Sequence, residues 1–251
     1  MHRVSTAVRK TLAVTWARYE IQLGRPHLFT TPVSVQGGRA AYDFKTGLGY
    51  SFLQLRLPSR SYQMLLYDLE PSTLLLAPSP APAGVLPAGK GWISAPLSTP
   101  TADHALAAQA EGLAPVLLLD EVRWGARSAS SLGTRVVEAV PMAEYRVSVD
   151  LARALAAARK RRQGGIAAAI AEELRASASK RVEIVVWVSG PGYVGKIESD
   201  VPGSGLGATS FLFLSFTRPY TGTLPPASQV MPLGSLMDGS RKSVWAIATS
   251  S

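Results

Sequence analysis

The sequence predicts an α+β domain in which an antiparallel sheet carries its helices on one side. Two observations carry this. Short segments of alternating polar and apolar residues follow one another through tight turns, the mark of strands that return on themselves. The helical patterns are instead gathered into two insertions, which lets helices pack together against one face of a sheet. The length of 251 residues allows one large domain that buries roughly three quarters of its unfolded surface.

The elements justify this in order. Val4, Val8 and Leu12 recur every fourth residue and predict a short first helix. Ala17, Tyr19, Ile21 and Leu23 alternate with Arg18, Glu20 and Gln22, which predicts a half-buried strand over Ala17 to Leu23. Strands follow at Arg39–Lys45, Tyr50–Leu57, Ser61–Leu69 and Thr73–Ala77, separated by Thr46-Gly47, Pro58-Ser59 and Glu70-Pro71-Ser72. Residues 78–91 hold Pro78, Pro80, Pro82 and Pro87 and predict an exposed loop, because proline cannot donate to a sheet ladder. Asp103–Glu111 reads as a short helix, and Pro115 fits the first position of another that reaches Arg123. Strands return at Thr134–Val140 and Glu144–Val149.

Asp150 then opens a long alanine-rich helix, in which Leu151, Leu155, Ile166, Ile170 and Leu174 keep one phase and Gly164-Gly165 form a weak point. Arg181–Ser189 and Tyr193–Val201 predict a hairpin, and Ala208–Arg218 a last strand. Residues 1–235 are read as one domain and 236–251 as a C-terminal extension.

Composition narrows the function classes. Hydrophobic residues make up 47% and charged residues 17%, ordinary values for a folded chain. Lys and Arg outnumber Asp and Glu by 26 to 17, a formal charge of +9 that favours anionic surfaces. The absence of cysteine excludes disulfides, thiolate metal sites and a cysteine nucleophile. No apolar run approaches the ~18 residues of a membrane-spanning helix. Arg3, Arg9 and Lys10 precede the run Thr11–Ala17, which resembles a signal peptide but stops at Arg18, so folded structure is expected there.

The candidate chemistry is sparse. Gly190-Pro191-Gly192-Tyr193-Val194-Gly195 matches a dinucleotide-binding glycine pattern, but a strand follows it where a helix is needed, so a hairpin turn is expected. His2, His27 and His104 are too far apart for a helical metal site. No nucleophile elbow occurs, and neither Asp120-Glu121 nor Glu172-Glu173 can form a carboxylate dyad within itself, so these pairs are expected in solvent. No catalytic residue, metal site or cofactor is expected. The densest charge run, Arg159-Lys160-Arg161-Arg162, is placed mid-helix, where it can meet anionic lipid headgroups; it lacks the interleaved aromatics of a nucleic-acid platform, and no nucleic-acid partner is expected.

Three segments together resemble one family. Ala143 to Leu151 carries a Tyr145 followed five residues later by Asp150-Leu151. Val185-Val186-Trp187-Val188 precedes Gly190, Gly192 and Lys196. Phe216-Thr217, Pro225-Pro226-Ala227 and Val230 follow towards the end of the domain. In order and spacing these are similar to the actinobacterial lipoprotein family of LppX and LprG.

The resemblance implies a LolA-type half barrel, an α+β fold whose strongly curved antiparallel sheet has helices covering its concave face. It also implies a hydrophobic cavity between sheet and helices for a lipid or glycolipid, carried or presented in the cell envelope without catalysis. Two departures stand out: Glu144 replaces a frequent His, and no cysteine is present to carry a lipid anchor. The place implied is periplasmic or extracytoplasmic, given an export signal.

Strands apolar on both faces support a sheltered ligand independently, as in Phe211-Leu212-Phe213-Leu214 and Ile184-Val185-Val186-Trp187. Candidate lining residues are Leu53, Leu55, Leu65, Ile170, Val186, Leu212 and Leu214, and Arg159 to Arg162 are candidates for anionic surface contact. A monomer is expected. The alternative is an envelope sensor or protein-interaction module of the same fold with no stored lipid.

Overall fold

A computed structural model describes residues 1–23, 34–56, 61–69, 73–79, 86–96, 114–177, 179–199, 208–216 and 224–232. The predicted helix at 103–111 and the extension 236–251 lie outside the described residues. Among the described residues twelve strands form a single sheet in the order β12-β6-β5-β4-β3-β2-β1-β11-β10-β9-β8-β7. They are β1 (Trp16–Leu23), β2 (Ser34–Asp43), β3 (Gly49–Arg56), β4 (Ser61–Leu69), β5 (Thr73–Ser79), β6 (Trp92–Pro96), β7 (Ala126–Val137), β8 (Val140–Asp150), β9 (Arg181–Ser189), β10 (Val194–Ser199), β11 (Thr209–Ser215) and β12 (Val230–Pro232).

The order shows two sequential meanders, β1 to β6 and β7 to β11, joined where β1 pairs antiparallel with β11. All pairings are antiparallel except that of β12 with β6, which is parallel. β7 and β12 end the sheet, so it is an open half barrel and not a closed one.

Helices α1 (His2–Leu12), α2 (Pro115–Gly125), α3 (Leu151–Lys160) and α4 (Gly164–Ala176) pack on one face. α1 buries Val4, Ala7, Val8 and Thr11, the four-residue spacing read from the sequence. Its Thr11 hydroxyl accepts the Val194 amide at 2.9 Å, and the Lys10 ammonium donates to the Pro191 carbonyl at 2.7 Å, so α1 is tied to the β9–β10 turn. α2 begins with Pro115 as predicted, where its missing N–H costs nothing. α3 is capped by Asp150, whose carboxylate accepts the Arg153 amide at 3.0 Å and a second bond from the Arg127 guanidinium at 2.8 Å.

The single long helix expected after Asp150 is two. α3 ends in a Schellman motif: the Gln163 amide reaches the Ala158 carbonyl at 3.1 Å, the Arg162 amide reaches that of Arg159 at 3.0 Å, and Arg162 has φ +60°. The four cations therefore occupy the end of α3 and the turn, not mid-helix. Two strands escaped prediction, β6 and β12, and β7 starts at Ala126, well before Thr134. The core joins both meanders to the helices, with Tyr19, Phe211, Ile21, Leu53, Ile170 and Ile184 among its largest fully buried members.

Candidate ligand-binding interior

Register settles which side chains face the helices. Across the sheet, Val186, Ile197, Phe211, Ile21, Gly38 and Leu53 are successive cross-strand partners on the inner face. The neighbouring row runs Trp187, Lys196, Leu212, Glu20, Arg39 and Phe52 on the outer face. Successive residues of a strand point to opposite sides, so the charged partners Lys196 and Glu20 mark this second row as outward.

Leu53, Val186 and Ile170 are fully buried members of the core, Leu53 and Val186 on the inner sheet face and Ile170 on α4. Leu212 and Leu214 point the other way: both belong to the outer face, Leu214 being 48% exposed, and the inward residues of β11 are Phe211 and Phe213. The side chains of Leu55 and Leu65 lie outside the described ones; by register Leu55 pairs with Val35 and Tyr62, and Leu65 with Phe52 and Ala77.

The outer face has its own relief. An open groove of about 430 Å³ is bordered by Glu20, Gln22, Arg39, Phe52 and Gln54 and reaches Ile21 and Gly38. Its lining is mixed, polar and apolar in nearly equal measure, and Arg39 lies 3.8 Å from Glu20. Nearby Trp187 is almost wholly buried under Lys196, whose ammonium stands 4.5 Å from the ring centroid.

The glycine-rich segment after β9 is a hairpin turn: the Gly192 amide bonds to the Ser189 carbonyl at 2.9 Å with φ +83° at Gly192, and β10 follows directly. No dinucleotide site is formed. Among the described residues no group of three His, Asp or Glu side chains is placed to hold a metal ion.

Acidic side chains depart most from expectation. Asp120, Glu121 and Glu173 are 2%, 0% and 8% exposed, where solvent was predicted. One member of each sequence pair has found the other: Glu121 of α2 and Glu173 of α4 are both buried where these two helices touch, near enough for each carboxyl to act on the other. Neither Glu121 oxygen meets a hydrogen-bond donor from another residue among the described ones, and the Trp124 indole N–H is also unpartnered. Burial, reinforced by Glu173 and Asp120, pushes the Glu121 carboxyl well above its usual range, and burial raises Glu173 as well. Asp120 is raised to about 6 by burial, partly offset by Arg123 at 3.6 Å.

The basic turn sits beside this cluster. The Arg161 guanidinium lies 5.2 Å from the centroid of Trp124 and bonds to the Ala157 carbonyl. Arg159, Lys160, Arg161 and Arg162 are all exposed, and none forms an ion pair among the described residues.

An open antiparallel sheet with helices gathered on one face defines the class: an α+β half barrel with its apolar interior between the two layers. Its likenesses among solved structures are specific. The chain matches the Mycobacterium tuberculosis lipoprotein LppX with a TM-score of 0.50 over 88% of this chain and 96% of that one, at 9% identity. It matches LprF from Mycobacterium bovis with a TM-score of 0.51 over 88% and 93%, at 10% identity. At such identity the likeness is one of fold, and it agrees with the LppX-like architecture that the sequence motifs imply. No family model and no curated protein matches the sequence.

Proposed function

We propose that this protein binds a lipid or glycolipid by its apolar part between the inner sheet face and the helices, and carries or presents it in an extracytoplasmic cell envelope. The observation behind this reading is the inner face itself. It is chiefly apolar from β8 across to β3, with Ser199, Thr209 and Ser51 among its polar members, and around Gly38, Ala40 and Ser51 its side chains are small. Small residues on a face roofed by other elements leave room for acyl chains in a way that an aliphatic core does not. The fold shared with LppX, a lipoprotein, supports the same reading.

The turn Arg159 to Arg162 adds a contact with anionic headgroups, worth about 1 kcal/mol per basic residue at a charged surface. Arg162 occupies a left-handed position that glycine fills without strain. Its charge is the property glycine would lack, and an exposed cluster of cations that form no ion pair among the described residues fits a membrane surface. The protein works as a monomer and without chemistry on its cargo.

Native mass spectrometry of protein from its own host, with organic extraction, tests the reading. A stoichiometric lipid is expected, together with uptake of a fluorescent fatty-acid probe by the stripped protein. Bare protein that refuses the probe would leave an envelope interaction module of the same fold as the better account.

A further inference from the structure

Three carboxyl groups buried at a contact between helices are costly unless they are protonated or paired. Asp120 has Arg123, but Glu121 and Glu173 have chiefly each other. The elements packed on α2 leave this unchanged, and Arg127 of β7 is paired with Asp150. From α3 comes Arg161, which acts on Asp120 and covers Trp124. α4 contributes Glu173, while Glu172 turns outward to Arg175. The face of α1 buried in the core carries Val4, Ala7, Val8 and Thr11, and β8 and β10 present Val147, Val149 and Ile197. No cation reaches the Glu121–Glu173 pair among the described residues.

We propose that Glu121 and Glu173 form a proton-operated latch: with protons on the pair, α2 and α4 stay closed over the sheet, and ionisation separates them. Two adjacent carboxylates cannot share an apolar site unless a proton lies between them, so their charging expels at least one from it. The consequence has a definite sign. The closed state binds more protons than the open one, so closure is strongest in acid and weakens as pH rises. The window starts above the ordinary Glu value of 4.5 and extends to the raised value of the closed pair. A cargo held under the helices would be retained at low pH and released at higher pH; this last step alone rests on the lipid-binding reading.

Amide hydrogen exchange of α2 and α4, corrected for the intrinsic pH dependence of exchange, tests the latch on the intact chain from pH 5 to 8. The expected result is an opening equilibrium that rises by up to tenfold per pH unit for one proton released, with β9 and β10 changing less. Glu121→Gln and Glu173→Gln, each neutral and nearly isosteric, are each expected to flatten that rise, and together to leave only the part near pH 6 that Asp120 contributes. Should one variant fail to fold, the wild-type carbon chemical shifts of the two carboxyls decide. A pH-independent opening equilibrium, an unchanged slope in the variants, or two fully ionised carboxylates at pH 6 would each overturn the proposal. None of these readouts needs a lipid, so their failure leaves the carrier reading standing.

Discussion

The two meanders of one sheet are finished in different ways. In the half from β7 to β11 the inner side chains are Val147, Val149, Val182, Ile184, Val186, Val188 and Ile197, and the helices make their principal sheet contacts with β7 to β10. In the half from β2 to β3 the same face offers Gly38, Ala40 and Ser51 beside Tyr42 and Leu53. β-Branched side chains fill a face and lock into neighbours, whereas small ones leave volume that something else must occupy. One half thus has the character of a scaffold. The other, on the reading proposed above, is where a guest would lie. Gly38 shows how tight the backbone remains even there, since a Cβ on it would stand 2.2 Å from the Phe52 carbonyl oxygen.

The largest expected effect breaks or sharpens this contrast directly. Ile184→Ala, in the filled half, removes three buried carbons from a site that cannot collapse and is expected to cost about 2–5 kcal/mol. Leu53→Ala deletes as much from the other half, where a lipid-free protein already has slack, and is expected to cost less than half as much while lowering lipid-probe uptake. Urea denaturation of stripped protein compares the two. Equal costs would remove the distinction between scaffold and ligand half.

Much of the scaffold was legible because alternation and turns are local signals. β4 and β9 occur at the predicted residues, and α1 and α2 at nearly so. What stayed hidden was set by distant partners. β12 has three residues and exists only by pairing parallel with β6, far back in the chain, so neither carries a periodic signal of its own. β7 is exposed along most of its length, and Ser128, Ser130 and Ser131 give no apolar alternation to read. The phase from Leu155 to Ile166 survives the break between α3 and α4, which made two helices look like one.

The candidate site was less legible. Val186, Leu53 and Ile170 are buried, but nothing in the neighbouring sequence set them apart from the other candidates. Leu212 and Leu214 were not separable from Phe211 and Phe213, because all four are apolar and only the partner strand reveals parity; Glu20 opposite Leu212 supplies the answer. The Glu121–Glu173 pair lay beyond sequence reasoning, since each belongs to a different helix and charged residues are expected at the surface.

A smaller effect concerns the junction of β8 with α3. The Asp150 carboxyl is held below its ordinary value by Arg127 and by the Arg153 amide, the reverse of the buried pair. Its contribution is therefore complete above the ordinary Asp value of 3.8 and is lost as pH falls through the lowered one. Asp150→Ala is expected to cost about 1 kcal/mol at pH 7 through the lost cap; the half-exposed Arg127 adds little. Denaturation of wild type and variant should converge in strong acid. The latch variants, by contrast, should differ from wild type towards alkaline pH, so the two sets separate the roles of the two acids by direction alone.

The smallest effect lies at the outer edge of the scaffold half. β7 and β8 are joined by Glu138 and Ala139, with φ of +47° and +63°. Two consecutive positive values define the type I′ turn whose twist suits a hairpin, and Asn-Gly is the pair that adopts it with least strain. Neither residue here does so easily, because a Cβ in the left-handed region costs roughly 1–2 kcal/mol while glycine's extra unfolded freedom returns part of that. Side-chain burial cannot secure this edge: Leu132 and Val140 are largely exposed and Val136 is 67% exposed. The register that opposes Val137 to Val140 thus leans on the turn and the ladder. Glu138→Asn with Ala139→Gly is expected to stabilise the protein by about 0.5 kcal/mol. Thermal unfolding would show this as a rise of a degree or two in the midpoint. A loss of stability instead would mean that the tip side chains support the edge, and that the scaffold half extends through its last hairpin.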